Sequence, residues 1–157
     1  AAKNFQAGMQ ILRQLEFAIF DMLLHSRYQA GGKQTVMQLL ADVRRRVAVF
    51  EVPDYNRQPN QFAHIFAGGY AAGYYSYKWA EVLSADAYAQ FEEDGILNSE
   101  TGGRFLDEIL GVGGSRPARE SFISFRGRPP DLAALPRHHG MTAGACRCSL
   151  SRPGAGR

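Results

Sequence analysis

Between His64 and Trp79 the chain reads His64-Ile-Phe-Ala-Gly-Gly-Tyr70-Ala-Ala-Gly-Tyr74-Tyr-Ser-Tyr77-Lys-Trp79, one histidine, three glycines and four tyrosines in sixteen residues. Tyr70, Tyr74 and Tyr77 stand at i, i+4 and i+7, the spacing of one helix face. Gly68, Gly69 and Gly73 thin the side chains around them and let backbone come close to another object. A row of phenolic O–H groups behind such an approach suits a polar, extended ligand, and it suits the stabilisation of an oxyanion. Two plainer readings compete. His64 can be a loop histidine hydrogen-bonded to backbone, and tyrosines are common packing residues at half-buried surfaces. Glycine costs roughly 1 kcal/mol in a helix interior, so three of them at one helix entrance favour the ligand-facing reading.

No other constellation in the chain is complete. The histidines are His25, His64, His138 and His139, and no two lie four apart, so no His-Glu-x-x-His is present. Adjacent His138 and His139 point in different directions on a helix and make a poor metal pair. Neither G-x-S-x-G nor a P-loop occurs.

The elements that must position the tyrosines read as helices. Phe5, Met9, Leu12, Leu15, Ile19 and Leu23 step by three and four, with Phe17, Phe20 and Leu24 widening the stripe, so residues 2–28 are expected to form a long helix buried on more than one side and ended by Gly31-Gly32. Val36, Leu40, Val43, Val47 and Phe50 predict a second helix over 33–49, whose Arg44-Arg45-Arg46 run reads as its solvated face. Pro53 and Pro59 bracket a polar loop. The tyrosine helix is expected to start between Gly68 and Ala71 and to end before Gly95, with Trp79, Val82 and Leu83 on its core face, Glu81, Glu92 and Glu93 solvated and Lys78 at the surface. Asn98 and Ser99 are caps for a fourth helix, whose apolar face is Phe105, Leu106, Ile109 and Leu110. Ser115 and Pro117 open a fifth that Gly127 stops, and Pro130 opens a last short helix through Leu135, disturbed by Pro136. Without β-alternation or an internal repeat, the fold class is all-α, a bundle of long helices.

The chain has 157 residues, 45% hydrophobic and 21% charged, with a formal charge of +3. Arg147, Arg152 and Arg157 in the last sixteen residues account for that excess, which leaves 1–141 neutral and argues against a nucleic-acid partner. No apolar run is long enough to cross a membrane, so no membrane partner is expected. Cys146 and Cys148 share the same tail, so no disulfide framework underlies the fold. The tail from Thr142 is expected to be disordered. The start, Ala1-Ala2-Lys3-Asn4-Phe5, reads as the middle of a protein entering a helix, because it lacks both an initiator Met and a leader pattern.

The segment Phe62-Ala-His64-Ile-Phe-Ala-Gly68-Gly69-Tyr70-Ala-Ala-Gly73-Tyr74-Tyr-Ser-Tyr77-Lys-Trp79 closely resembles the C-terminal part of the M3 family of zinc metallopeptidases, nearest the branch of oligopeptidase A and dipeptidyl carboxypeptidase and more distantly similar to thimet oligopeptidase. Ala1-Ala-Lys-Asn-Phe5, Leu12-Arg-Gln-Leu-Glu-Phe17, Phe91-Glu-Glu-Asp-Gly-Ile96, Gly113-Gly-Ser-Arg-Pro117 and Phe125-Arg-Gly-Arg128 also look like family sequence. The resemblance spans residues 1–141. It implies a largely helical cytoplasmic enzyme that hydrolyses short peptides in a deep channel, with one zinc held by His-Glu-x-x-His and a downstream glutamate.

None of those zinc residues is in this chain, so the resemblance implies zinc in the complete enzyme, none bound by this chain, and a partner in the preceding, His-Glu-x-x-His-bearing part of the same polypeptide. It implies roles on the opposite wall of the channel. Tyr70 and Tyr77 would reach the scissile peptide as catalytic groups, one of them stabilising the oxyanion. His64 and Tyr74 would contact substrate, and Gly68 and Gly69 would belong to a mobile substrate-binding loop. Residues 1–141 are thus expected to be the C-terminal portion of a zincin-like catalytic domain, inactive alone. The competing reading is a stand-alone, non-catalytic helical module that binds peptides or another protein. Residues 142–157 resemble nothing in the family and look like a GC-rich gene read out of frame, or an added extension. Pro136 also departs from the family pattern, which has a helix-compatible apolar residue there.

Overall fold

The computed structural model describes residues 4–141; the readings made above for the tail, Cys146 and Cys148 included, and for residues 1–3 lie outside them. The described residues form helices and turns without a strand: α1 (Ala7–Ser26), α2 (Val36–Val47), a 3-10 turn (Gln58–Gln61), α3 (Ala63–Phe66), α4 (Ser76–Asp94), α5 (Ser99–Phe105) running into a π-turn (Leu106–Leu110), α6 (Ala118–Arg126) and α7 (Ala134–His138). The all-α expectation holds.

α1 packs against α2. Their shared core is Phe20, Leu39, Leu40 and Val43, closed by Phe62 and Ile65. Phe62 and Ile65 come from the chain that leads into the tyrosine segment, so the core itself fixes where that segment begins. α2 starts at a capping box: the Thr35 hydroxyl accepts from the Gln38 N–H at 3.2 Å and the Gln38 side chain accepts from the Thr35 N–H at 2.7 Å, two donors of the first turn satisfied at once. α2 ends at Ala48, where ψ turns to 137°, so Phe50 leaves the helical stripe and stands exposed.

Around α4 a second packing centre forms with α5, α6 and α7. Phe91, Phe105 and Phe125 meet edge to face or tilted, 5.3–6.1 Å apart. Asp86 of α4 is wholly buried. Its carboxylate accepts from Arg128 (2.5 and 2.9 Å), Arg126 (3.3 Å) and the N–H of Asp131 (2.7 Å), tying α4 to α6 and to the turn that leads into α7.

Several boundaries differ from the periodicity for identifiable reasons. α1 stops at Ser26, short of the glycine pair, because Arg27 leaves the helical region. Asn98 caps α5 through the N–H groups of Glu100 and Thr101, but beyond it Leu106 and Leu110 lie on a π-turn and are exposed. At α6 the residue before the first turn is Pro117, not Ser115. Pro136 sits inside α7 as its third residue. In a first turn the N–H has no intrahelical acceptor, so proline removes nothing there. Trp79 and Lys78 exchange places relative to expectation: Trp79 is 51% exposed, whereas the Lys78 side chain is 17% exposed and reaches Glu81 at 2.5 Å.

Candidate functional site

α4 begins at Ser76, so Tyr70 and Tyr74 do not share a helix with Tyr77. Gly69 takes φ +77° and Ala72 φ +53°, left-handed conformations that break a helical repeat. Residues 70–77 instead run as successive turns, with Gly73 N–H to Tyr70 C=O at 2.8 Å, Ser76 N–H to Gly73 C=O at 3.1 Å and Tyr77 N–H to Tyr74 C=O at 3.3 Å. The three rings converge nonetheless. Tyr70 stacks on Tyr77 at 5.0 Å and Tyr74 meets Tyr77 at 5.1 Å. The ring of His64 stands 6.4 Å from Tyr70 and 6.0 Å from Tyr74, edge-on to the latter.

The glycines have local causes. A Cβ on Gly68 would lie 2.9 Å from both the Cα and the carbonyl oxygen of His64. Gly68 N–H donates to Ala63 C=O at 2.8 Å and Tyr70 N–H to His64 C=O at 3.1 Å. The chain therefore folds back onto the short helix α3, and Gly68 with left-handed Gly69 allows the reversal that brings His64 beside Tyr70. The close approach is to the chain's own backbone. His64 is a helical residue of α3 rather than a loop histidine.

Side chains from α1 shape the floor. Tyr74 packs edge-on against Phe17 (5.7 Å) and Phe62 (5.1 Å), and its hydroxyl donates to Gln14 Oε1 at 3.1 Å. Burial raises the Tyr74 pKa, with Arg13 pulling it back in part. At Tyr77 the Tyr70 hydroxyl as hydrogen-bond partner, then desolvation, then the charges that Tyr70 and Tyr74 would carry, raise the phenol's pKa. Tyr77 is 40% exposed, so its edge remains reachable from solvent.

Sequence periodicity did not single out Gln14, Glu16 or Asp21. The Asp21 side chain is 1% exposed and Glu16 is 2% exposed. Asp21 accepts from the N–H of Ala72 and of Tyr74, both at 2.9 Å, and Glu16 is held by Arg13 (2.7 Å) and Arg44 (2.9 Å). The available signal was an acid inside an apolar helical run, Ile19-Phe20-Asp21-Met22-Leu23, since acids are almost never fully buried unless paired. Arg44 accordingly leaves the solvated face assigned to it and bonds Glu16 and Asn56; Arg45 stays exposed beside Asp42.

Among the described residues no group of three or more His, Cys, Asp or Glu is placed to hold a metal ion, and no helix is long and apolar enough to cross a membrane.

Comparison with known proteins matches the model of Peptidase family M3 to residues 1–141. "Oligopeptidase A" of Haemophilus influenzae is 59% identical over 140 residues, 89% of this chain and 21% of that protein. "Probable cytosolic oligopeptidase A" of Arabidopsis thaliana is 47% identical over 147 residues, 91% and 21% respectively. "Dipeptidyl carboxypeptidase" of Escherichia coli is 35% identical over 142 residues, 89% and 21%. The chain thus spans about a fifth of the length of these relatives. With a family match over all the described residues, the chain belongs to peptidase family M3.

Proposed function

We propose that this chain supplies the substrate-binding and oxyanion-stabilising wall of a zinc-dependent oligopeptidase that hydrolyses short peptides. The observation that carries the reading is the convergence of Tyr70, Tyr74 and Tyr77 beside His64 on one partly open face. In peptide hydrolysis the carbonyl oxygen gains negative charge in the transition state, and fixed hydrogen-bond donors aimed at it lower the barrier. Tyr77 fits that task by its place, since its ring is held by the stack on Tyr70 and is 40% exposed on the open side of the group. Tyr70, its stacking partner, is the second catalytic phenol. Tyr74 is the substrate contact, with its proton engaged by Gln14, and the exposed His64 lines the same face.

The residues described do not fit a zinc site, so no step through the metal is assigned to them. The family's zinc belongs to the complete enzyme, and this chain depends on a His-Glu-x-x-His-bearing part of the same polypeptide for it. Peptides are its substrates, with no role for nucleic acid or membrane. The cytoplasm is its compartment, a reading supported by the cytosolic name of one relative.

Steady-state kinetics on the full-length protein test the site. Tyr77→Phe is expected to lower kcat about a hundredfold with KM nearly unchanged, the mark of a donor used only in the transition state. Tyr70→Phe is expected to follow it. Near-normal kcat in both variants would show the rings to be packing residues. The isolated chain is expected to bind no stoichiometric zinc and to cleave no quenched peptide; one tight zinc per chain in equilibrium dialysis would refute that.

A further inference from the structure

We propose that Asp21 is a positioning residue for the tyrosine face, holding the 70–75 segment through its backbone; the proposal rests on the peptide-site reading above. Its buried carboxylate spends both oxygens on this segment. Oδ1 accepts from the Ala72 N–H and Oδ2 from the Tyr74 N–H, each at 2.9 Å, across more than fifty residues of chain. His25, one turn further along α1, closes the other side, with Nδ1 2.8 Å from Oδ1 and 2.9 Å from the Asp21 carbonyl oxygen.

The two N–H groups flank Gly73 and belong to the stretch where Ala72 is held at φ +53°. A non-glycine residue in that region is disfavoured by its own sterics, so the conformation needs an external hold. Backbone N–H groups around a left-handed residue form a concavity that binds an anion, and here the protein supplies the anion itself. The consequence is geometric. Tyr74 is itself clamped and Tyr70 leaves the chain two residues before clamped Ala72, and the rings of both meet Tyr77, which stands in the first turn of α4. Asp21 touches none of those rings by any hydrogen bond. It acts through the backbone that aims them.

The decisive variant is Asp21→Asn in the full-length protein. The amide keeps the volume and one acceptor but turns an N–H₂ donor toward a backbone N–H, so one of the two bonds is lost. Two readouts are taken. Amide hydrogen exchange is expected to quicken about tenfold at whichever of Ala72 and Tyr74 faces the new amide nitrogen, as for a lost hydrogen bond to a charged group, with α2 amides unchanged. In kinetics kcat is expected to fall about tenfold and KM to rise a few-fold, because the clamped segment carries Tyr70 and Tyr74, and the double variant Asp21→Asn/Tyr70→Phe is expected to have a kcat no lower than Tyr70→Phe alone, since both then act on kcat through the Tyr70 phenol.

Unchanged exchange at 70–75, or exchange quickened equally throughout the protein, would overturn the clamp, as would losses that multiply in the double variant. If Asp21→Asn fails to fold, Asp21→Glu, which keeps the charge, and Asp21→Ala, which removes it, take its place; slow exchange at 70–75 in Asp21→Glu with fast exchange there in Asp21→Ala supports a charge clamp, and wild-type exchange at 70–75 in Asp21→Ala refutes it. The peptide-site reading is judged separately by Tyr77→Phe: normal kcat there sinks that reading, while the exchange data still decide whether Asp21 holds the loop.

Discussion

The ring of Tyr70 stacks on the ring of Tyr77 at 5.0 Å with planes 28° apart, although the backbone between them is not a helix. Left-handed Ala72 and a run of tight turns shorten the path. Tyr77 is delivered by the first turn of α4 and Tyr70 by the reversal after α3. Tyr74, whose ring also meets Tyr77 at 5.1 Å, is backed by Phe17 and Phe62 and bonds Gln14. Three phenols that look equivalent by spacing thus have different surroundings.

Tyr74 and Gln14 are expected to act as a pair. Tyr74→Phe deletes the hydroxyl that donates to Gln14 at 3.1 Å, which costs on the order of 1 kcal/mol for a neutral hydrogen bond. Because this phenol's proton is engaged within the protein, its loss should raise KM by a few-fold and leave kcat within about threefold. Gln14→Ala should give a similar KM change, and the double variant should add little. A fall in kcat at Tyr74→Phe as deep as at Tyr77→Phe would place the oxyanion donor at the wrong tyrosine.

The glycines separate steric from conformational demand. At Gly68 an added Cβ meets His64 backbone at 2.9 Å, and backbone cannot step aside cheaply; Gly68→Ala should cost about 1–3 kcal/mol and disturb His64 and Tyr70 together. At Gly69 the space is open but φ is +77°, so Gly69→Ala should cost about 1–2 kcal/mol. Gly31 has the same φ and the same open space far along the chain. Gly31→Ala should therefore lower the melting temperature as Gly69→Ala does, yet leave peptide kinetics untouched. Equal kinetic defects in the two would mean the loop matters only through stability.

The all-α class and helices α1 and α2 were legible because the apolar stripes of α1 and α2 repeat at three and four over many turns, whereas the four-residue α3 and the π-turn after α5 are too short to show a period. The grouping of Tyr70, Tyr74 and Tyr77 was legible too, but for a reason that does not hold: α4 starts at Ser76. Spacing by helical steps and folding through tight turns happen to bring the rings to one place. Periodicity carries no information about φ at Ala72, because alanine ordinarily propagates a helix and here is held out of it by Asp21 across the fold. Trp79 misled for a related reason. Its apolar character predicts burial, yet α4 turns Val82, Ala85 and Ala89 inward and leaves the indole at the surface. Pairing of buried acids is likewise a tertiary fact; Arg44, Arg45 and Arg46 are alike in sequence, and only Arg44 stands opposite Glu16.

That difference is measurable. Arg44→Met removes one of two cations from a carboxylate that is 2% exposed, and breaking a buried pair costs about 3 kcal/mol. Arg45→Met removes an exposed partner of Asp42, for which about 0.5 kcal/mol is the usual scale. Chemical denaturation of the two variants should show a clear drop in midpoint for the first and almost none for the second. Equal midpoints would mean that Arg13 alone satisfies Glu16.

Asp86 sets the acid limit of the fold. Burial pushes its pKa up, but the Arg128 bonds, the Asp131 N–H and the charges of Arg128 and Arg126 outweigh it, and the net direction is down. A carboxyl whose folded pKa lies below its unfolded value stabilises the fold fully above the unfolded value, near pH 4 for an aspartate. That contribution is lost as pH falls from there through the folded pKa. Glu93 moves the same way, through its hydrogen bonds from Arg126, against some desolvation. The melting temperature should therefore hold between neutral pH and about pH 4 and fall steeply below it. Asp86→Asn should flatten the acid limb while lowering stability at neutral pH by about 3 kcal/mol, because Arg126, whose side chain is 3% exposed, loses an anionic partner inside the protein. Asp107→Asn, an exposed acid on the π-turn, should leave both the limb and the neutral-pH stability as they are. An acid limb unchanged in Asp86→Asn would show that another carboxylate carries it.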